Sequence, residues 1–296
     1  MLSNHPNTMY IGAVDMKFGN VRVQIVSGGR MKVDGGSMFG VVPRVLWQRQ
    51  SEPDDRHRIQ LDTNCLVLHA GGKIALVDSG CGSKWDESKR DHHALEDGNP
   101  LVHNLGHLGI DPEDITLVIA THLHFDHAGG FTVRTESGQL RPTFPRARYV
   151  VQRCEWDDAV SDAPELAEMY IPDDLIPLKD AGVLDLVDQD TELLPGVRCC
   201  LTGGHTRGHQ ILYIGLEDQR ALYIADLCPT HIHLKTNWSM AFDQESRRVR
   251  QIKPKLLGEA ADRGWTVLFC HDSQVRASRL RRDSSGQLQV HEVSEA

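Results

Sequence analysis

The chain has 296 residues, 40% hydrophobic and 25% charged, a globular balance that excludes disorder, collagen and simple coiled coil. Lys+Arg 32 against Asp+Glu 41 leaves a net charge of −9, which speaks against a nucleic-acid backbone as partner. A chain this long buries roughly 70–75% of its unfolded surface and needs no disulfide staples. The seven cysteines, at 65, 81, 154, 199, 200, 228 and 270, form no CxxC pair and read as reduced thiols of a cytoplasmic protein.

Residues 1–14 have neither a basic n-region nor an apolar h-region, so no signal peptide is expected, and no apolar run approaches the ~20 residues of a membrane span. Residues 21–26 alternate as a strand, with Gly28-Gly29 as the turn after it. Residues 34–40 read as a flexible loop carrying two exposed apolar side chains, Met38 and Phe39. Residues 65–68 and 73–77 read as strands joined by a hairpin turn at Ala70-Gly71-Gly72, with Asp78 just beyond the second. A short helix is expected over 101–108, a strand buried on both faces over 115–120, and another strand over 148–152. Residues 155–169 mix helix and loop, and 197–202, 210–216 and 221–225 read as three strands. Asp243 reads as the cap of a helix through Gln251 that Pro254 kinks or ends, and a second helical piece stops at Gly264. Residues 266–270 are a last buried strand, and the four arginines of 276–282 read as a solvated face. No Pro/Ser-rich linker and no short-period repeat divides the chain, so one α/β domain over residues 1–296 is expected.

The decisive segment is Thr121-His122-Leu123-His124-Phe125-Asp126-His127-Ala128-Gly129-Gly130, with three histidines and an aspartate inside six residues, straight after a buried strand. His122 and His124 alternate, so an extended backbone sends both to one side, and Asp126 and His127 fall on the turn beyond. Such a turn presents four donors around one point, and imidazole nitrogen with carboxylate oxygen suits zinc and other borderline divalent metals. Gly129-Gly130 permits a close backbone approach or an abrupt helix start. Three later segments bring further donors to strand ends: His205 and His209 in Gly204-His205-Thr206-Arg207-Gly208-His209, then Asp226, then His271. A carboxylate closing an apolar strand, as Asp226 does, must be paired or metal-bound.

These residues resemble the metallo-β-lactamase-fold hydrolases. His122 to His127 match the HxHxDH signature, the GHTxGH motif, Asp226 and His271 follow in the family's order, and Asp78 matches in Val77-Asp78-Ser79-Gly80. Residues 34–43 with Leu46-Trp47, and Asp226-Leu227-Cys228-Pro229-Thr230 with Trp238, are similar to the YtnP-like subgroup of quorum-quenching N-acyl homoserine lactonases. The resemblance implies a four-layer αββα sandwich with its active site at the strand ends between two sheets. It implies two divalent metals per chain, zinc or else manganese, iron or cobalt. His122, His124 and His205 would hold the first, Asp126, His127 and His271 the second, and Asp226 would bridge them. Asp126 would also carry the proton to the leaving group, Asp78 would orient a ligand histidine, and His209 would support the site without binding metal.

The implied reaction is hydrolysis of an ester-type bond, foremost the lactone ring of an N-acyl homoserine lactone, by a hydroxide shared between the metals. Phosphotriesters and thioesters are alternatives on the same site. A metal-loaded protein that binds a small ligand without turnover is the alternative of a different class. Some lactonases of the superfamily have a tyrosine three residues after the bridging aspartate, where this chain has Pro229; His231 and His233 are candidates to replace it, or surface residues. Met38, Phe39, Trp47, Trp238 and Phe242 either wall a substrate pocket or pack in the core. The expected partner is a small ester or lactone with an apolar tail, with no nucleic acid and no membrane, and a homodimer is compatible with the sequence. His103 and His107 read as a solvated helix face, and His57, His92 and His93 as exposed loop residues.

Overall fold

Five strands open the computed structural model, which describes residues 14–293: β1 (Val14–Phe18), β2 (Val21–Asp34), β3 (Arg58–Ala70), β4 (Lys73–Val77) and β5 (Ile115–Ile119). The segment read above for a signal peptide lies outside the described residues except for Val14. A small ribbon, β6 (Thr132–Arg134) and β7 (Leu140–Pro142), precedes β8 (Arg148–Gln152) and β9 (Leu184–Val187). Strands in the order β1-β2-β3-β4-β5-β8-β9 form one sheet, antiparallel as far as β4 and parallel from there on. The second sheet follows the chain in order: β10 (Thr191–Leu194), β11 (Val197–Leu201), β12 (Gln210–Leu216), β13 (Gln219–Tyr223), β14 (Thr266–Leu268), β15 (Ala277–Arg282) and β16 (Leu288–Val293). Its pair β13–β14 is parallel. The helices are α1 (Gly35–Phe39), α2 (Arg44–Trp47), α3 (Glu87–His93), α4 (Pro100–His107), α5 (Phe125–Ala128), α6 (Arg153–Ala159), α7 (Pro172–Asp180) and α8 (Ser246–Arg263).

Strand alternation sorts the apolar residues into layers. Ile25, Leu66, Leu68 and Val77 of the first sheet share a buried cluster with Leu212, Ile214, Tyr223 and Leu268 of the second. The first sheet's other face, through Val26, Val67, Leu76 and Val118, packs on Leu101 and Leu105 of α4 and Leu175 and Leu178 of α7. The second sheet's other face lies under α8, through Val249, Leu257 and Ala260. The architecture is therefore αββα, as the resemblance implied. Strands buried on both faces explain the near-continuous apolar runs of β3 and β12. The parallel pairs β4–β5 and β13–β14 put four carboxyl ends, followed by Asp78, His122, Asp226 and His271, on one side of the molecule.

Several local expectations are corrected. Gly28-Gly29 is not a turn: β2 runs on through a register shift between Ser27 and Arg30, with Gly29 at φ 111. Residues 34–40 are not a flexible loop. They form α1, capped by Asp34, which accepts from the Ser37 N–H at 2.8 Å, and Met38 and Phe39 are buried. Asp243 caps no helix, since α8 starts at Ser246. Pro254 sits inside α8 without ending it; Val249, Leu257 and Ala260 anchor the helix on both sides, and that burial outweighs the ~3 kcal/mol a mid-helix proline costs. Of the four arginines of 276–282 only Arg276 departs from a solvated face, being buried against Asp62 at 3.3 Å; Arg279, Arg281 and Arg282 are exposed on β15, which buries Ala277 and Leu280. His92 and His93 end helix α3 instead of lying in a loop. The hairpin at Gly71-Gly72 is as expected, both glycines having positive φ. All seven cysteines are free, and no described helix is long and apolar enough to cross a membrane.

Candidate metal centre

β5 is flanked by parallel neighbours and ends at Ile119, and the next nine residues form a loop and the one-turn helix α5. His124 is the residue before α5, and its carbonyl accepts the N–H groups of His127 and Ala128. Gly129 and Gly130 let this loop press against residues 79–81: a Cβ on Gly129 would lie 2.3 Å from the Cys81 carbonyl oxygen, and one on Gly130 2.5 Å from that of Ser79. Asp78 (φ 57) and Ala225 (φ 47) take left-handed backbone at the ends of β4 and β13, a local strain of about 1 kcal/mol or more each. That turn aims the Asp78 and Asp226 carboxylates at the loop.

Two donor groups result. In the first, His122, His124 and His205 bring nitrogens within 4.8 Å of one another, with His205 Nε2 3.0 Å from His124 Nδ1. In the second, His127, Asp226, Cys270 and His271 do the same, with His127 Nε2 3.0 Å from His271 Nε2. Asp226 stands between the groups. Its Oδ2 lies 3.3 Å from His205 Nε2, and its Oδ1 lies 3.3 Å from both His127 Nε2 and His271 Nε2. Asp126 Oδ2 is 3.4 Å from His271 Nε2. The geometry thus gathers all seven expected donors. Cys270, beside Asp226 with Sγ 3.0 Å from Oδ1, is a neighbour the motif reading missed.

Three of the histidines have their second nitrogen tied down. His127 Nδ1 donates to Asp78 Oδ2 at 3.0 Å, and Asp78 also accepts from the Thr121 N–H (2.8 Å) and hydroxyl (2.9 Å). His205 Nδ1 donates to Asp243 Oδ1 at 2.9 Å, which is the real work of the residue taken for a helix cap. His271 Nδ1 donates to the Asp62 carbonyl at 2.9 Å. These bonds leave Nε2 lone pairs facing the centre. His209 is different: Nδ1 pairs with the Thr202 hydroxyl at 2.8 Å, and Nε2 accepts the Asp226 N–H at 3.2 Å, so it supports the backbone of Asp226.

Burial, then the neighbouring imidazoles, holds His122 and His124 well below the usual histidine range. Burial also works to lower His127, but Asp226, Asp126 and Asp78 outweigh it and raise it well above that range. Burial would raise Asp226, but His271, His127 and His205 hold it well below the usual carboxylate range. Burial, with His205, pushes His209 down to about 3. His122 Nε2 is buried with no hydrogen-bond partner. An orphaned imidazole nitrogen, nitrogens 3.0 Å apart and an ionised carboxylate between them fit divalent cations, and the N/O donors fit zinc.

A cavity of about 460 Å³ opens on this centre, with His124, Asp126, His205, Asp226 and His271 on its floor. Met31, Met38, Leu61, Phe125, Met169, Met240 and Phe242 line it with apolar surface, and Arg56, Arg58, His92 and His93 add polar groups. Of the expected pocket residues only Met38 and Phe242 face it. Phe39, Trp47 and Trp238 lie behind, in a buried cluster where Phe39 stacks on Trp47 at 5.3 Å. His233 is buried there too, stacked on Phe39 at 4.9 Å. His231 is held by Asp272 at 2.5 Å, so neither histidine lines the cavity. Pro229 serves through its carbonyl, which accepts the His271 N–H at 2.9 Å.

The profile described as "Metallo-beta-lactamase superfamily" matches residues 58–281. An N-acyl homoserine lactonase of a Bacillus species is 34% identical over 173 residues, 54% of this chain and 60% of that protein, so the chain spans about three fifths of that relative. N-acyl homoserine lactonase AiiB of Agrobacterium fabrum is 30% identical over 253 residues, 75% of this chain and 84% of that protein. Among solved structures, a probable metal-dependent hydrolase from Staphylococcus aureus is 27% identical with a TM-score of 0.85, covering 94% of this chain and 99% of its own. AidC, described as a dizinc quorum-quenching lactonase, shares the fold with a TM-score of 0.77 at 20% identity, covering 96% and 98%.

Proposed function

The chain belongs to the metallo-β-lactamase superfamily, and on that premise we propose that it is a dinuclear hydrolase that opens the ring of N-acyl homoserine lactones. The observation that carries the dinuclear reading is Asp226, which turns one oxygen toward each of two histidine groups. His122, His124 and His205 would hold one ion, Asp126, His127 and His271 the other, and Asp226 would be shared between them. Zinc is the metal that the donor set and the dizinc neighbour favour. A pair of divalent ions at such a site supplies a water of lowered pKa and an electrophile for the substrate oxygen.

The chain's own residues do the rest. Asp126 has the most accessible carboxylate of the ligand set, 13% exposed against 6% for Asp226, and it lines the cavity floor. It is placed to take up a proton there and return it to the departing ring oxygen. Asp78, Asp243 and the Asp62 carbonyl hold the imidazoles in the tautomer that faces the centre. Met31, Met38, Leu61 and Met240 provide the wall for an acyl chain, and methionines adapt to chains of different shape.

Each buried methylene contributes up to ~0.8 kcal/mol, so four extra carbons raise kcat/KM by up to roughly two orders of magnitude. The test compares butanoyl, octanoyl and dodecanoyl homoserine lactones with a paraoxon-like triester on protein of measured metal content. Lactone turnover that rises with chain length supports the proposal. Triester turnover far above lactone turnover transfers the substrate assignment to phosphotriesters, and absence of both in metal-loaded protein overturns the lactonase proposal and leaves the thioester and ligand-binding alternatives.

A further inference from the structure

Glu155, on α6, stands outside both donor groups and is completely buried. Its carboxylate accepts four hydrogen bonds from three separate segments. Oε1 accepts from the Leu123 N–H at 2.9 Å and the Tyr170 hydroxyl at 3.1 Å. Oε2 accepts from the Thr206 hydroxyl at 2.6 Å and the Gly208 N–H at 3.1 Å. Leu123 lies between His122 and His124, and Thr206 directly follows His205. Gly208 shows how closely the second loop is seated: a Cβ there would be 2.3 Å from Glu155 Cβ and 2.5 Å from its backbone nitrogen. The third segment belongs to the cavity. Tyr170 packs on His124 with centroids 5.3 Å apart, and the carbonyl of Met169, which lines the cavity, accepts the Phe125 N–H at 3.1 Å.

Burying a carboxylate is costly unless its acceptors are filled, and here every partner is a donor aimed at it. The donors come from both sides of one metal group and from the wall beside it. The other group has its own supports, Asp78 on His127 and the Asp62 carbonyl on His271, and Glu155 touches neither. We propose that Glu155 is a positioning residue that sets the spacing between the loop after β5 and the loop between β11 and β12, and so assembles the site of His122, His124 and His205. The inference rests on the metal ligands proposed above and not on the substrate.

The test titrates zinc and cobalt into the full metal-free chain in competition with a chromophoric chelator. Glu155→Gln keeps the volume, but its amide nitrogen cannot accept from Gly208. It is expected to weaken one metal about 10–100-fold, the range typical of partners behind a ligand shell, and to leave the other within about threefold. Thr206→Val removes one bond and is expected to weaken the same metal by less, which keeps the test usable if the glutamine variant does not fold. Tyr170→Phe leaves Oε1 with the Leu123 bond and is expected to keep both affinities within about threefold. Wild-type affinity for both metals in Glu155→Gln and Thr206→Val overturns the proposal. So does an equal loss at both metals that tracks a lowered Tm of the metal-free protein, since that is the mark of a merely structural role. If the wild-type chain binds a single ion, the dinuclear reading fails by itself; Glu155 is then judged on that ion, a loss supporting its role and no change overturning it.

Discussion

His233 offers a measurable pH dependence. The ring is 1% exposed, its Nε2–H donates to the Met38 carbonyl at 2.9 Å, and its Nδ1 accepts from the Thr230 hydroxyl at 2.8 Å. A carbonyl can only accept, so Nε2 carries the hydrogen, and burial keeps the ring neutral with the Nδ1 lone pair on the Thr230 hydroxyl. Burial, with the Lys253 charge nearby, pushes its pKa down to about 3. The unfolded chain takes up that proton near 6.5, so between about pH 6.5 and 3 the unfolded state binds more protons and stability falls as pH falls. The difference of about 3.5 units, at ~1.36 kcal/mol per unit, amounts to about 5 kcal/mol at full effect and about 2 kcal/mol by pH 5. His233→Gln removes the titration and the stacking on Phe39, at an expected cost of about 2 kcal/mol at pH 7. Urea unfolding of both proteins from pH 7 to 4.5, at one fixed metal concentration, should give stability curves that converge near pH 5. Losses common to both, including metal release, cancel in the difference. Parallel curves, with a gap constant to within about 0.5 kcal/mol, would refute the reasoning.

Elemental analysis should find about two metals per chain, with Asp226→Ala and His205→Ala each losing metal and His209→Ala keeping both at a ~10–100-fold cost in activity. If His209→Ala loses a metal and His205→Ala does not, the roles of that histidine pair are reversed. Asp78→Ala strips partners from Thr121 and His127 and should weaken metal binding while lowering stability by about 2–4 kcal/mol, read by chelator competition and denaturant unfolding. Phe39→Ala should cost about 3–5 kcal/mol of stability with little change in chain-length preference, because Phe39 lies behind the cavity. Met38→Ala, on the cavity wall, should alter the kcat/KM ratio between dodecanoyl and butanoyl substrates; identical ratios in the two variants would remove the distinction between wall and core.

The donor residues were legible in the sequence because their chemistry is local. His122, His124, Asp126 and His127 lie close enough in the chain for the end of β5 and one helical turn to converge them, and the spacing shows before any fold is known. The αββα layering was legible only through the family resemblance; the apolar runs at 65–68, 115–120 and 210–216 showed strands of an α/β domain and not their layers. Other features depended on long-range contacts. Asp243 precedes a helix and looks like a cap, and only the packing of residues 240–245 against His205 reveals its true partner. Phe39 sits among glycines and looks exposed, but Trp47 and Trp238 arrive from other segments to bury it. Pro254 reads as a breaker because local rules price its missing N–H, while the sheet beneath α8 supplies the compensating burial. Glu155 has no motif at all; its meaning lies in four donors drawn from residues 123, 170, 206 and 208. Sequence by itself determined which atoms are available to hold metal, since donor type and short spacing are covalent facts. Tertiary structure alone decided which nitrogen of each imidazole faces inward, which apolar side chains reach the cavity and which carboxylates act from behind, because those depend on contacts between segments that the chain connects only by folding.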